Sequence, residues 1–429
     1  MRLGGQITAA IEILNHIDLY KQPVANALKD WGISNRFAGS TDRAIIGNIV
    51  YDVLRKYLSS AYITDHDNPD ALVYAIIIKE WNIPLEELIV LLKDDRFATP
   101  IPKESILSSL NSRKLEDAPF HVQANIPKWL LPSIQSNFKS NWLIEIQALS
   151  ERAPLDLRTN TLKVSRQKLF QNLQCHGVQY STISQFGLRI PATNKTSRLP
   201  HITNGIFFQR GWFEVQDQGS QIVAELSAIK SGSQILDFCA GSGGKTLALS
   251  MLLNNKGQIH VWDRIKNRIT PIVERIKRAG IRNVQIHSAL SSLLKRQEHF
   301  TTVLVDAPCS GSGTWRRRPD TKWQLSIKDL AKITIEQAKI INDASKFVRP
   351  GGYLIYVTCS ILPEENIQQI HQFLTRNAHF YIDSVVEDWN TLYGHTKYQP
   401  IFIENGCCSL TPASTDTDGF FLCRLKRHI

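Results

Sequence analysis

ILDFCAGSGGKTLALS, residues 235–250, decides how the rest of the chain is read. An apolar run ends in an acid, Asp237; a glycine-rich turn follows; then a second apolar segment begins. That order reads as strand, loop and helix. Gly241, Gly243 and Gly244 let the loop backbone approach a ligand closely and adopt positive φ. A phosphate loop of the form GxxxxGK would need glycine where Cys239 stands, and a dinucleotide fingerprint starting at Gly241 would need glycine at Thr246. A nucleoside without phosphates fits better. The next apolar run, QIHVWD, ends in Asp263 about twenty residues on, and an acid there can accept from both ribose hydroxyls. S-adenosylmethionine has a ribose and an amino-acid tail but no phosphate, so the constellation suits it.

Working outward, apolar runs alternate with helical segments from about Ser220: QILDF, KTLALSMLL, QIHVWD, RIKNRITPIVERIKRAG, NVQIH, TTVLVD and GYLIYVTC. Short apolar runs between helices predict an α/β domain with a mostly parallel sheet covered on both faces. Ligands in such sheets bind beyond the carboxyl ends of the strands. Two thiols fall on that edge: Cys309 in LVDAPCSGSGTW, residues 304–315, and Cys359 in IYVTCSILPEEN, residues 355–366. Free cysteines are often buried packing residues. Beside Asp306, however, they suit one chemistry. A thiolate adding to C6 of cytosine turns the ring into an enamine whose C5 attacks an electrophilic methyl group. A carboxyl group at N3 offsets the charge that builds up, and a base then removes the C5 proton. The chemistry alone does not choose between the two thiols.

Upstream, LDLRTNTLKVSRQKLFQNLQCHGVQYSTISQFGLRIP reads as strand, helix, strand, strand. Residues 96–125 read as a linker with helical pieces, and the first 95 or so as helices. In DRAIIGNIVYDVLRKYL the rows Ile45, Ile49, Val53 and Ile46, Val50, Leu54 make one wide apolar face, with Thr41 or Asp42 as cap. The expected division is a helical domain and linker over 1–125, an α+β module over 126–218 and the α/β domain over 219–429. The net charge of +11 over 429 residues favours a polyanionic partner. Arg316, Arg317 and Arg318 in WRRRPDTKW, between two tryptophans, are candidates for contacting RNA phosphates and stacked bases. Seven cysteines, with no CxxC pair and no His/Cys cluster, predict neither a disulfide framework nor a metal site. Cys175, Cys407, Cys408 and Cys423 are given no role, and neither are the histidines. No apolar run is long enough to span a bilayer and the opening residues lack a signal-peptide pattern, so a cytoplasmic monomer is expected.

DFCAGSGGKT, DAPCSGSGTWRRRPD and TCSILPEEN, with VQDQGSQ upstream and DGFFLCRLKR at the end, resemble the RsmB/Sun family of RNA cytosine-5 methyltransferases. The resemblance implies a Rossmann-like S-adenosylmethionine-dependent domain preceded by an RRM-like α+β module. NRFAGSTDRAIIGNIVYDVLRKY is similar to the NusB-like RNA-binding domain of the family's bacterial ribosomal-RNA members. It implies that Cys359 is the nucleophile, that Cys309 assists product release and that Asp306 lies between cofactor and base. The loop of Cys239, Ala240, Gly241, Ser242, Gly243, Gly244 and Lys245, with Asp263 and Asp306, would hold S-adenosylmethionine. The implied partner is 16S ribosomal RNA or a small-subunit assembly intermediate, rather than transfer RNA.

Two departures stand out. The family usually has an acid after the third strand, near the adenine; here Ser288 takes that place, and no Asp or Glu occurs between Glu274 and Glu298. Losing a charge-assisted hydrogen bond costs about 1.5–3 kcal/mol if nothing replaces it. Ser242 stands where many members have proline before the two glycines. The rival readings are an RNA-binding assembly protein with a vestigial cofactor fold, favoured by Ser288, the same chemistry on transfer RNA, and a nicotinamide-dependent oxidoreductase, which gives the strand-end thiols no purpose.

Overall fold

A computed structural model describes residues 1–192, 195–196 and 200–429. The chain forms two compact units. The first contains Met1–Arg152 and Trp315–Leu325, and the second contains Ala153–Ala192, Pro200–Thr314 and Ser326–Ile429.

The first unit is helical. Its helix Ser40–Arg55 buries Ile46, Ile49, Val50, Val53 and Leu54 of the face that the periodicity predicts, with Ile45 half-buried at its edge. The cap differs from expectation. Gly39 is the N-cap, and Asp42 reaches back to accept from the Gly39 backbone N–H at 3.0 Å, one half of a capping box. The helices Leu131–Phe138 and Trp142–Ala148, which the sequence reading puts in the α+β module, group with this compact unit, which runs to Arg152.

Trp315–Leu325 belongs to this helical unit although its neighbours in sequence belong to the other. Trp323 Nε1 donates to the Leu54 carbonyl at 2.7 Å, Val24 N–H to Asp320 Oδ2 at 3.2 Å, and Arg55 Nη2 to the Arg316 carbonyl at 2.9 Å. Trp315 and Lys322 are each 1% exposed, and burial pushes the Lys322 ammonium down to a pKa of about 7.

The second unit opens with an antiparallel sheet of order β2-β3-β1-β4, formed by β1 (Leu155–Thr159), β2 (Gln179–Tyr180), β3 (Gly187–Ile190) and β4 (Phe213–Val215). The helix Arg166–Leu173 lies between β1 and β2 in sequence, so strand, helix, strand, strand is found as read, with β4 added. The helix Gln218–Glu225 runs across the expected boundary at 218.

The larger sheet comprises β5 (Gln234–Asp237), β6 (Gln258–Val261), β7 (Val284–Ile286), β8 (Phe300–Asp306), β9 (Val348–Thr358), β10 (Phe380–Ile382), β11 (Ile401–Ile403), β12 (Cys407–Leu410) and β13 (Phe420–Arg427). Its order is β11-β12-β13-β9-β8-β5-β6-β7, with β10 also on β13. The strands from β7 through β9 are parallel, and β13 joins β9 antiparallel. Along β5, Ile235 packs into one core and Leu236 into the other; β9 alternates likewise, with Ile355 and Val357 against Leu354 and Tyr356. Both faces are buried, as continuous apolar strands require. From β5 the chain winds one way through β6 and β7 and the other way through β8 and β9. That reversal opens a crevice at the carboxyl ends of β5 and β8, where doubly wound sheets take ligands.

Candidate active site

The glycine loop lies at that crevice. Gly243 has φ +84° and precedes the helix Gly244–Leu252, and a Cβ there would come within 2.4 Å of Ile272 Cγ1. Gly241, at φ +49°, is different: a Cβ would meet nothing nearer than Asp263 Oδ2 at 4.0 Å, so the loop faces open space. Its N–H donates to Asp263 Oδ2 at 2.9 Å, and Ile265 N–H donates to Asp263 Oδ1 at 2.8 Å. Each Asp263 oxygen keeps a further lone pair. The open glycine backbone and an oriented acid after β6 fit a nucleoside with a free ribose.

Asp237 closes β5 beneath the loop. Its Oδ2 accepts from Thr246 Oγ1 at 2.6 Å while Oδ1 is buried without a partner, and burial raises its pKa to about 7. Arg275 Nη1 donates to the Ser242 carbonyl at 2.7 Å and to Ser242 Oγ at 2.9 Å, and its Nη2 pairs with Glu214 at 2.9 Å. Where proline was expected to stiffen the loop, hydrogen bonds hold it. Cys239 is half-buried, and burial raises its thiol well above the ordinary range. Lys245, read as part of the cofactor loop, directs its ammonium to Asp306 Oδ2 at 2.7 Å. The Asp306 side chain remains 35% exposed.

The two thiols meet because β8 and β9 are parallel neighbours in register, Asp306 opposite Val357. Ala307 N–H extends the ladder to the Val357 carbonyl at 2.8 Å. The loops then emerge side by side, and Cys309 Sγ lies 3.4 Å from Cys359 Sγ, both residues half-buried. The hydrogen bond to Cys359 and burial both raise the Cys309 pKa well above that of a free thiol.

Cys359, Cys309 and Asp306 thus lie at adjacent strand ends, with the Cys239–Lys245 loop and Asp263 at the next two. Arg316, Arg317 and Arg318 all belong to the helical unit, and Arg316 is 3% exposed; Arg317 is half-buried and Arg318 exposed. An exposed RNA-contacting role for Arg316 is corrected by its burial. Ser288 is exposed after β7, beside a buried histidine pair absent from the sequence reading. His260 Nδ1 and His287 Nε2 are 2.8 Å apart, and His287 Nδ1 contacts Ser292 Oγ at 2.7 Å. Cys175 is exposed and Cys407, Cys408 and Cys423 are buried.

A parallel sheet reversing at β5, a glycine loop, an acid after β6 and an antiparallel β13 define the S-adenosylmethionine-dependent methyltransferase class. Residues 224–426 match the family model described as 16S rRNA methyltransferase RsmB/F, and residues 126–194 match its ferredoxin-like domain. The chain belongs to the RsmB/F methyltransferase family. It is 32% identical over 303 residues to ribosomal RNA small subunit methyltransferase B of Cronobacter sakazakii, covering 70% of this chain and 66% of that one. It is 31% identical over 306 residues to the protein of the same name from Shewanella oneidensis, covering 71% and 67%. The chain therefore spans about two thirds of the length of these curated relatives. Among solved structures, PH0851 matches over 100% of both chains with TM-score 0.75 and 23% identity. A methyltransferase homolog protein from Pyrococcus horikoshii matches 72% of this chain and 97% of its own with TM-score 0.59 and 25% identity. Among the described residues no helix is long and apolar enough to cross a membrane.

Proposed function

We propose that the protein methylates C5 of a cytosine in RNA, with 16S ribosomal RNA as substrate, through a transient bond between Cys359 Sγ and C6. The observation that carries this reading is the pair of sulfurs 3.4 Å apart beside Asp306 at the ends of adjacent strands. When bound, S-adenosylmethionine supplies a methyl group on a sulfonium, an electrophile that needs no further activation. Cys359, as thiolate, adds to C6 and moves electron density toward C5 and N3. Asp306, held by Lys245, takes up a proton when the RNA binds and donates it to N3, which offsets that charge, and takes it back when the ring is released. Once C5 carries the methyl group, a base takes the C5 proton. The freed electron pair re-forms the C5–C6 double bond, the C6–S bond breaks, and Cys359 leaves as a thiolate. Cys309, 3.4 Å from that sulfur, assists its release.

Cys359→Ala is expected to abolish methylation of 16S RNA by the purified protein. Cys309→Ala should instead accumulate a covalent protein–RNA species, seen as a shifted band on a denaturing gel. Full activity in Cys359→Ala would overturn the assignment of the nucleophile. Bisulfite sequencing of ribosomal and transfer RNA, with and without the gene, identifies the substrate, and loss of a transfer-RNA site alone would overturn the choice of 16S RNA.

A further inference from the structure

Glu365 is fully buried, yet nothing in the proposed reaction uses its carboxylate. Its Oε1 accepts from the Ser310 backbone N–H at 2.8 Å and from Gln337 Nε2 at 3.1 Å. Its Oε2 accepts from Ser310 Oγ at 2.5 Å and from Ser360 Oγ. Ser310 follows Cys309 and Ser360 follows Cys359, so a single carboxylate grips the residue after each sulfur. Further ties run through the same hub. Gln337 Nε2 also donates to the Pro308 carbonyl at 2.9 Å, and Ser312 Oγ and Ser360 Oγ are 2.8 Å apart. Gly313 N–H donates to the Cys359 carbonyl at 2.9 Å.

The β8–β9 ladder does not reach the sulfurs: its last paired residues are Asp306 and Val357, and the thiols lie in the loops beyond. Burying a carboxylate is costly, and an apolar side chain of similar size often serves stability as well or better. What apolar packing cannot supply is a common acceptor for both loops. We propose that Glu365 is a positioning residue that sets the separation of Cys309 and Cys359. This rests on the reading that these two thiols carry the methylation. Burial also raises the Glu365 pKa, while its serine and amide donors hold it down.

The test reads the sulfur–sulfur spacing without relying on methylation. In the full-length protein without RNA, diamide takes two electrons and two protons from the two thiols, becoming its hydrazine and leaving a Cys309–Cys359 disulfide. The linked peptides are counted by mass spectrometry over time. Glu365→Leu, which keeps the volume and loses the acceptors, should slow closure by about tenfold and kcat by about a hundredfold, with the KM for S-adenosylmethionine unchanged. Glu365→Gln, whose amide oxygen can still accept and whose NH2 can donate to the serine hydroxyls, should stay within about threefold of the parent rate. Should Glu365→Leu fail to fold, S310A/S360A removes both hydroxyl ties to Oε2, and with them the carboxylate's side-chain hold on Ser360 after Cys359, while the Ser310 N–H and Gln337 bonds to Oε1 stay; it should slow closure in the same direction. Closure at the parent rate in a folded Glu365→Leu or S310A/S360A protein overturns the proposal. Slow closure with undiminished methylation would uphold the hold on the sulfurs and remove the thiols from the reaction.

Discussion

Lys245 has two duties in one side chain: its backbone opens a helix at the glycine loop, and its ammonium stands 2.7 Å from Asp306. The carboxyl group is thereby fixed at the end of β8, half-exposed beside the glycine loop. Lys245→Met removes the ammonium that holds Asp306 and leaves its carboxyl group free to rotate. A misplacement of about 1 Å at a reacting group costs about a hundredfold. The expected outcome is a fall of that order in kcat, with RNA affinity in a gel-shift titration changed by less than about threefold, because the proposed role is orientation and not grip. Equal losses in kcat and RNA affinity would assign Lys245 to binding instead.

At the scale of elements, two buried groups on neighbouring strands oppose each other as pH changes. Asp237 on β5 has its pKa raised to about 7, so the folded chain holds a proton that the unfolded chain releases near pH 4, and stability falls as pH rises between them. His260 on β6 is lowered to about 4, chiefly by burial, so the unfolded chain binds a proton first and stability rises over pH 4–6.5. Between these limits the terms offset. Relative to the parent, Asp237→Asn should therefore gain stability as pH rises from 4 to 6.5, and His260→Gln should lose it. Urea unfolding at several pH values checks both signs. The Arg275 brace on Ser242 is another property of paired elements: Arg275→Met should weaken S-adenosylmethionine binding about tenfold by calorimetry. Adding Ser242→Pro, the residue the family resemblance suggests, should recover part of that loss.

These elements also explain what could be read from the sequence. The strand–loop–helix at 235–252, Asp263 and the two thiols were legible because each is a local pattern: an apolar run, then a distinctive residue where it stops. Glu365, the Lys245–Asp306 pair, the Arg275 brace and the His260–His287 contact were not, because each joins side chains from separate segments whose approach only the tertiary fold determines. Arg316 misled for a related reason. A basic triplet reads as solvated, and nothing local shows that Trp315 and Lys322 beside it are buried too.

Across the whole molecule, the two compact units do not correspond to two consecutive lengths of chain. Residues 315–325 contribute Trp323, whose indole donates to Leu54 and lies 5.2 Å from the Tyr57 ring, and Asp320, which accepts from Val24. A chain beginning at residue 153 would leave these groups with nothing to pack on. It is expected to elute as aggregate in size-exclusion chromatography, whereas the same truncation with 315–325 replaced by a short glycine–serine link should elute as a single soluble species. Equal solubility of the two truncations would count against this account.

That late-coming segment also sets an order of assembly during synthesis. The helices over residues 3–148 leave the ribosome before residue 315 does, yet they lack part of their own core until residue 325 has followed them. The strand ending in Asp306 and the loop bearing Cys309 are necessarily made before that core can close, so helices translated ahead of the sheet cannot be finished ahead of it.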